Sequence, residues 1–169
     1  MKIIDNFLEQ KEFEKIQSRF MADMFAWFFC DHIDYKDDKN KFQFIHRIYS
    51  SLHPFQYSEI CETISPILRK IDPLALLRIK ANLLLRTSNI IENTFHLDTE
   101  FKNPEKTKFF ETAVYYINTN NGYTKFEDGT KVESVANRMV TFPANIKHTG
   151  TSCTDEKRRI VINFNYLKK

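Results

Sequence analysis

The second half of this 169-residue chain alternates apolar and polar residues in short segments, and this pattern limits the fold more than any other feature. In residues 77–83 (Leu-Arg-Ile-Lys-Ala-Asn-Leu) every second side chain is apolar. The other predicted strands are 111–118, 123–126, 131–135, 138–142 and 159–166. Turn signals lie at 120–122 (Asn-Asn-Gly) and 127–129 (Glu-Asp-Gly). Short strands joined by tight turns predict an α+β, mainly β fold: a double-stranded β-helix, or cupin-like jelly-roll.

The first part of the chain predicts a partly helical region that braces the outer face of this jelly-roll. Apolar residues recur at helical spacing over 7–21 and 58–70, and residues 42–49 alternate as in a strand. Ser58 is the expected N-cap of the second helix. Pro66 predicts that this helix is kinked or starts late.

Composition limits the setting more than the function. No repeat or linker interrupts the chain, so we expect one domain, 1–169, with a helical or mixed support region (1–73) and a jelly-roll core (74–169). The net charge is +3, with 25 basic and 22 acidic residues interspersed, which gives no clear nucleic-acid footprint. No apolar run approaches the ~18 residues of a membrane helix, so we expect no membrane partner. Three scattered cysteines are typical of a protein from a reducing cytoplasm.

His96, Asp98 and His148 are the candidate metal ligands. His96 and Asp98 lie two residues apart, and side chains at that spacing on extended backbone point to the same side. Enough chain separates Asp98 from His148 for several strands to fold back between them. Two histidines and one carboxylate leave open positions on Fe(II), as in non-haem iron oxygenases. An iron oxygenase is therefore our leading hypothesis.

The His-x-Asp tripeptide alone has little specificity, because residues 32–34 (His-Ile-Asp) match it as well. This second match follows the aromatic run 25–29 and precedes the charged segment 35–40. We interpret it as a polar surface cluster after a helix, and not as part of the metal site.

The last predicted strand opens with two cations, Arg158 and Arg159. Either guanidinium could bind the far carboxylate of a cosubstrate through two parallel hydrogen bonds. Strand parity leaves two alternatives: Arg159 inward with a partly polar face, or Arg158 inward with an apolar one. The two faces are Val161, Asn163 and Asn165 against Ile160, Ile162 and Phe164. Parity alone prefers Arg159 only slightly.

One face of the segment 77–83 carries Arg78, Lys80 and Asn82. We interpret this face as an exposed polar surface, with a polar wall at the mouth of the barrel as the alternative.

The whole ordered series of motifs resembles the 2-oxoglutarate- and Fe(II)-dependent oxygenases, particularly their prolyl-hydroxylase-like branch and its small bacteriophage-encoded members. The matching segments are His96-Leu97-Asp98, Tyr116-Ile117-Asn118, Asn121-Gly122, Thr124-Lys125-Phe126, residues 137–143, His148-Thr149-Gly150 and residues 159–165. The resemblance covers about residues 74–167, with looser matches at 25–29 and 42–46. One departure is Asn121-Gly122, where many relatives have two glycines.

The resemblance implies that His96, Asp98 and His148 bind Fe(II), and that Arg159, assisted by the Tyr116 hydroxyl, holds the distal carboxylate of 2-oxoglutarate. It implies O₂ as a co-substrate, admits ascorbate as a reductant, and couples oxidative decarboxylation to hydroxylation of a substrate. Peptidyl side chains, amino acids, nucleobases and small metabolites all fit as substrates. If the chain is phage-encoded, its compartment is the host cytoplasm. The polar segment 100–108 is a candidate loop over the site.

Two other classes of function stay open. One is a non-catalytic jelly-roll module, for binding or virion association, whose metal site is vestigial. The other is a cupin-type isomerase or dioxygenase that uses a metal without 2-oxoglutarate.

Overall fold

The computed structural model describes residues 1–34, 41–51, 56–99 and 104–169. Its elements are β1 (Lys2–Ile4), α1 (Gln10–Met21), β2 (Phe28–Cys30), β3 (Gln43–Ser50), β4 (Gln56–Tyr57), α2 (Ile60–Thr63), α3 (Ser65–Ile71), β5 (Ala75–Leu85), a 3₁₀ helix (Pro104–Phe109), β6 (Phe110–Tyr116), β7 (Asn120–Phe126), β8 (Lys131–Ser134), β9 (Met139–Pro143), β10 (His148–Gly150) and β11 (Arg158–Leu167). The predicted mainly β jelly-roll with bracing N-terminal helices is confirmed. None of the described helices is long and apolar enough to cross a membrane.

The strands form two antiparallel sheets that pack face to face. The large sheet has eight strands in the order β1-β9-β6-β11-β5-β3-β2, with β4 paired to β3, and the small sheet has the order β10-β7-β8. A buried apolar cluster joins the two sheets and contains Val114, Tyr116, Phe126, Val132, Val140, Phe142 and Val161. One end of the space between the sheets is therefore filled by apolar side chains. The pocket described below lies beside this cluster.

The helices cover the outer face of the large sheet. From α1, the side chains of Phe13, Ile16 and Phe20 are buried in the main core. That core also contains side chains of α2 and α3 and the outward-facing residues of the large sheet. Both faces of the large sheet are thus covered, which explains why β6 and β9 carry buried apolar residues on either side.

Strands β5 and β11 carry different chemistry on their two faces. Ile79 and Ala81 of β5, like Ile160 and Ile162 of β11, are buried on the helix side. The alternate residues of both strands face the small sheet and are mostly polar. The two strands are paired over their whole length, so these polar rows lie side by side.

Three local predictions can be compared with the structure. The interruption that Pro66 predicts in the helix 58–70 is confirmed: the segment is broken at Ile64 into α2 and α3, and Pro66 occupies the first turn of α3, where its missing N–H leaves no bond unmade. The segment 120–122 is not a hairpin turn, because β6 lies in the large sheet and β7 in the small one. The turn at 127–129 is confirmed: Gly129 has a positive φ of 88° between β7 and β8.

Candidate metal centre

His96 and His148 are brought together by their own backbones. The His96 N–H donates to the His148 carbonyl at 3.0 Å, and the His148 N–H donates to the His96 carbonyl at 3.1 Å. This antiparallel bridge places the two imidazole rings 4.8 Å apart, centroid to centroid. The Phe142 ring packs edge-on against His148 at 4.8 Å and covers it from the apolar side.

Asp98 completes a group of three potential ligands. Its Oδ1 lies 3.8 Å from Nε2 of His96, and its Oδ2 lies 3.8 Å from Nε2 of His148. One donor atom from each of the three residues lies within 4.8 Å of the others. The structure therefore brings the three predicted ligands to one point, with a donor set that suits a divalent transition metal.

The other nitrogen of each imidazole is held by an acceptor. Nδ1 of His96 lies 3.0 Å from the Thr94 carbonyl and 3.1 Å from Oδ1 of Asp34, and Nδ1 of His148 lies 3.5 Å from the Ile146 carbonyl. Acceptors at Nδ1 keep the proton there and leave the Nε2 lone pair free for a metal. Both Nε2 atoms face Asp98, as a shared ion requires.

Asp34 was missed by the sequence interpretation, which assigned residues 32–34 to a surface cluster. Its side chain is only 4% exposed and contacts His96. The Thr94 N–H also donates to Oδ2 of Asp34 at 3.0 Å, so the carboxylate ties down the segment that leads into His96. Burial raises the pKa of Asp34 despite the nearby His96. The second His-x-Asp match was the sequence signal for this residue.

Asp98 is fixed by two polar residues of the large sheet. Nη2 of Arg78 donates to Oδ1 at 3.1 Å, and Nδ2 of Asn165 donates to Oδ2 at 3.1 Å. Arg78 and Asn165 are themselves joined, because Nε of Arg78 donates to Oδ1 of Asn165 at 3.0 Å. The sequence analysis placed Arg78 in the polar-wall alternative and Asn165 on the face of Arg159, but it did not predict their contacts with Asp98. Both belong to the polar rows of β5 and β11 that face the small sheet.

The three ligand candidates titrate differently from free side chains. Burial alone would raise the pKa of Asp98, but its contact with His96 and the charges of His148 and Arg78 hold that pKa well below the usual range. Burial opposes protonation of His96, yet the neighbouring carboxylates of Asp98 and Asp34 raise its pKa overall. Burial lowers the pKa of His148. Asp98 is thus ionised and His148 neutral near pH 7, as ligands must be.

The Arg159 side chain faces the pocket, and the Arg158 side chain does not. Arg158 points to the helix side, where its Nη2 donates to the Met21 carbonyl at 2.6 Å. Arg159 is 3% exposed, and its Nε donates to Oγ of Ser134 at 2.8 Å. Burial lowers the pKa of Arg159, and within the described residues it has no carboxylate partner.

Tyr116 lies behind Arg159. The guanidinium carbon is 5.7 Å from the centre of the Tyr116 ring, and the Tyr116 hydroxyl donates to Oγ1 of Thr124 at 2.8 Å. Nη2 of Arg159 donates to the same Thr124 oxygen at 3.3 Å. Thr124 lines the pocket, whereas Tyr116 is not among its described lining residues.

A pocket of about 370 Å³ contains the ligand candidates and Arg159. Arg78, Lys80 and Asn82 line it too, so the polar-wall alternative for this face is correct and the exposed-surface interpretation is wrong. Two buried amide oxygens, Oδ1 of Asn82 and Oδ1 of Asn163, have no hydrogen-bond partner in the described structure. Residues 100–103 of the predicted loop lie outside the described residues, and residues 105–108 are not among the described lining residues of the pocket.

Comparison with known proteins defines the class of fold. No protein-family model matches the sequence, and no curated protein matches it either. A viral collagen prolyl hydroxylase from Paramecium Bursaria Chlorella virus-1, in its 2OG complex, is 14% identical with a TM-score of 0.61, over 99% of this chain and 96% of that one. A prolyl hydroxylase from Trichoplax adhaerens, in complex with a hypoxia inducible factor peptide fragment, is 13% identical with a TM-score of 0.64, over 98% and 82%.

A third solved structure extends the comparison beyond prolyl hydroxylases. An oxidoreductase of the 2OG-Fe(II) oxygenase family from Burkholderia pseudomallei is 11% identical with a TM-score of 0.66, over 97% of this chain and 84% of that one. The protein therefore has the same fold as these solved 2OG-Fe(II) oxygenases, prolyl hydroxylases among them.

Proposed function

We propose that the protein is an Fe(II)- and 2-oxoglutarate-dependent oxygenase of the hydroxylase type. One observation carries the proposal: His96, Asp98 and His148 converge in the same pocket as Arg159, a buried cation with no carboxylate partner among the described residues. A buried charge is costly unless a partner neutralises it. A metal with open positions and an anionic cosubstrate would together use every one of these groups.

His96, Asp98 and His148 would hold Fe(II). The two imidazoles present Nε2 and the carboxylate is ionised, so the site needs little rearrangement to bind the ion. Fe(II) bound there, with 2-oxoglutarate and O₂, would supply the chemistry that couples oxidative decarboxylation to hydroxylation of a C–H bond. The protein would contribute orientation and the exclusion of water, with Phe142 and the apolar cluster behind His148.

Arg159 would hold the distal carboxylate of 2-oxoglutarate. Its Nε is engaged by Ser134, which fixes the plane of the guanidinium and leaves donors on the terminal nitrogens. Thr124 accepts hydrogen bonds from both Tyr116 and Arg159, so its own hydroxyl proton is free for an acceptor in the pocket. Tyr116 would thus assist the carboxylate through Thr124.

The setting we propose is a reducing cytoplasm, because Cys30, Cys61 and Cys153 are free thiols. A cytoplasm also keeps iron ferrous, and ascorbate would serve there as an accessory reductant. If the chain is phage-encoded, this is the cytoplasm of the host.

The decisive experiment is anaerobic addition of Fe(II) and then 2-oxoglutarate to the protein. A visible metal-to-ligand charge-transfer band is expected, because the cosubstrate chelates the ion. His96→Ala should remove the band. His32→Ala should keep it, because His32 does not line the pocket that contains His96. Metal binding without any response to 2-oxoglutarate would favour a cupin-type enzyme. Absence of metal binding would favour a non-catalytic jelly-roll module.

A further inference from the structure

A second cavity continues from the metal pocket along the inner faces of β3 and β5. Its volume is about 320 Å³, within the range of small-molecule sites. The two cavities share the lining residues Ile33, Asp34, Gln43, Arg78 and Lys80. Lys80 therefore lies where the cavities meet, and Arg47 lines only the second one, farther from the metal ligands.

Lys80 and Arg47 are directly opposite each other on neighbouring strands. The β3–β5 register pairs Arg47 with Lys80, so the two cations project from the same face of the sheet. Neither side chain forms a hydrogen bond or salt bridge within the described part of the chain. Arg47 is exposed and Lys80 is half-buried, so an anion that enters the cavity from solvent can reach both cations.

The acidic groups near these cations are already engaged elsewhere. Asp98 accepts from Arg78 and Asn165, and Asp34 contacts His96 and the Thr94 N–H. Burial, reinforced by the charge of Arg78, lowers the pKa of Lys80 to about 8. The charges of Asp98, Cys30 and Asp34 oppose this lowering, but the described lining of the second cavity contains three cations, Arg47, Arg78 and Lys80, and one carboxylate, Asp34.

We propose that Lys80 and Arg47 bind an anionic group of the substrate, a carboxylate or a phosphate, and that the substrate is a small organic anion. This assignment rests on the proposed oxygenase function. The cavity size fits a small molecule, and the position of Lys80 places the rest of that molecule toward His96, Asp98 and His148. Arg47, with its planar fork of donors, adds geometric selection to the charge of Lys80.

Lys80 and Arg159 do not share one ligand carboxylate. In the β5–β11 register Lys80 faces Asn163, whereas Arg159 faces Leu84. Asn163 and Arg159 are four residues apart along β11, or roughly 13 Å of strand. The two cations therefore serve two anionic groups, one on the cosubstrate and one on the substrate.

The anion site can be tested without metal by acetylating the protein with acetic anhydride near pH 8. Labelling of Lys80 is measured by peptide mass spectrometry against the exposed Lys11 in the same sample, in phosphate, acetate or chloride of equal ionic strength. A bound anion that raises the Lys80 pKa by one unit should slow labelling about fivefold, because the neutral amine fraction falls from one half to about one tenth.

The choice of anion and the Arg47→Met variant make this test specific. Protection by phosphate alone identifies a phosphate site, and protection by acetate alone identifies a carboxylate site. Arg47→Met should abolish the protection, while Lys15→Met, at another exposed lysine, should leave it intact at Lys80. Equal labelling in phosphate, acetate and chloride would overturn the proposal.

The substrate class can be tested by succinate formation with Fe(II) and 2-oxoglutarate. The assay compares small carboxylic acids and phosphate monoesters with their uncharged amides or alcohols. Only the anionic compounds should stimulate turnover. Lys80→Met and Arg47→Met should lose this stimulation. Stimulation by the uncharged members, or a raised 2-oxoglutarate requirement as the defect of Lys80→Met, would overturn the proposal. Failure of the charge-transfer band would count against the oxygenase function alone, since the labelling test needs no metal.

Discussion

Gly122 lies so close to Arg159 that a β carbon added to Gly122 would be 2.7 Å from Cδ of Arg159. The same β carbon would be 2.7 Å from the Ser152 carbonyl oxygen, so an added methyl group cannot fit unless a neighbouring group moves. Gly122→Ala should therefore displace the guanidinium and weaken 2-oxoglutarate binding at least about tenfold, or roughly 1.4 kcal/mol. Titration of the charge-transfer band with 2-oxoglutarate measures the effect.

Gly129→Ala is the matched control for this prediction. A β carbon at Gly129 would meet nothing within 4 Å, but the residue has a φ of 88°. Its replacement should reduce the free energy of unfolding by about 1 kcal/mol through backbone strain and leave 2-oxoglutarate binding unchanged. Unaltered binding in Gly122→Ala as well would contradict the role given to Arg159.

Arg159→Met and Arg158→Met should separate the two neighbouring cations. Loss of the Arg159 guanidinium would remove the proposed buried partner of the cosubstrate carboxylate, which should raise the 2-oxoglutarate dissociation constant by at least about thirtyfold, or roughly 2–5 kcal/mol. Arg158 contacts the Met21 carbonyl on the opposite face, so its replacement should affect stability and not 2-oxoglutarate. If Arg158→Met weakened 2-oxoglutarate binding and Arg159→Met did not, the face of β11 that carries Arg159 would not be the one that binds the cosubstrate.

Asp34→Asn should weaken metal binding while leaving all three proposed ligands in place. Asp34 contacts Nδ1 of His96, and loss of such outer partners typically reduces metal affinity about 10- to 100-fold. Titration with Mn(II), followed by electron paramagnetic resonance, gives the dissociation constant. Asp23→Asn is the control, because Asp23 is exposed and belongs to neither group of potential metal ligands in the described structure. Equal metal affinity in the two variants would rule out an orienting role for Asp34.

Metal binding should weaken as the pH falls. The pKa of His96 is raised, so its protonated form, which cannot ligate, becomes populated at higher pH than for an ordinary histidine. Below that pKa, Mn(II) affinity should fall about tenfold per pH unit if one proton is displaced per ion. Asp34→Asn removes a charge that raises this pKa and should shift the decline to lower pH. A pH-independent affinity from about pH 8 to pH 5.5 would exclude His96 as a ligand.

Strand periodicity was sufficient to predict β5 and β11 but not which of their faces is the site. The apolar set that accompanies Arg158 packs against the helices, and the polar set that accompanies Arg159 faces the small sheet. Both faces are covered, so hydrophobicity alone cannot distinguish the helix-packed core from the interior of the barrel. The choice of Arg159 over Arg158 as the inward-facing cation depended on the ordered series of motifs that resembles the oxygenases.

Apart from the convergence of His148 with His96 and Asp98, contacts between distant segments were not predicted from the sequence. Asp34 belongs to the segment after β2, and only the tertiary fold brings it to His96. Strands of two or three residues, such as β1, β4 and β10, are too short to show a period. The hairpin predicted at 120–122 failed because Gly122 is needed for close packing against Arg159 and not for a turn.

The backbone bridge between His96 and His148 has a consequence for how the protein would behave when iron is scarce. Main-chain hydrogen bonds fix the spacing of the two imidazoles, so this part of the proposed metal site is preformed in the absence of the ion. Small zinc domains, in contrast, unfold when their metal is withdrawn. If the proposed function is correct, loss of iron should inactivate the protein without unfolding it. Added iron should then restore the activity of the existing molecules without synthesis of new protein.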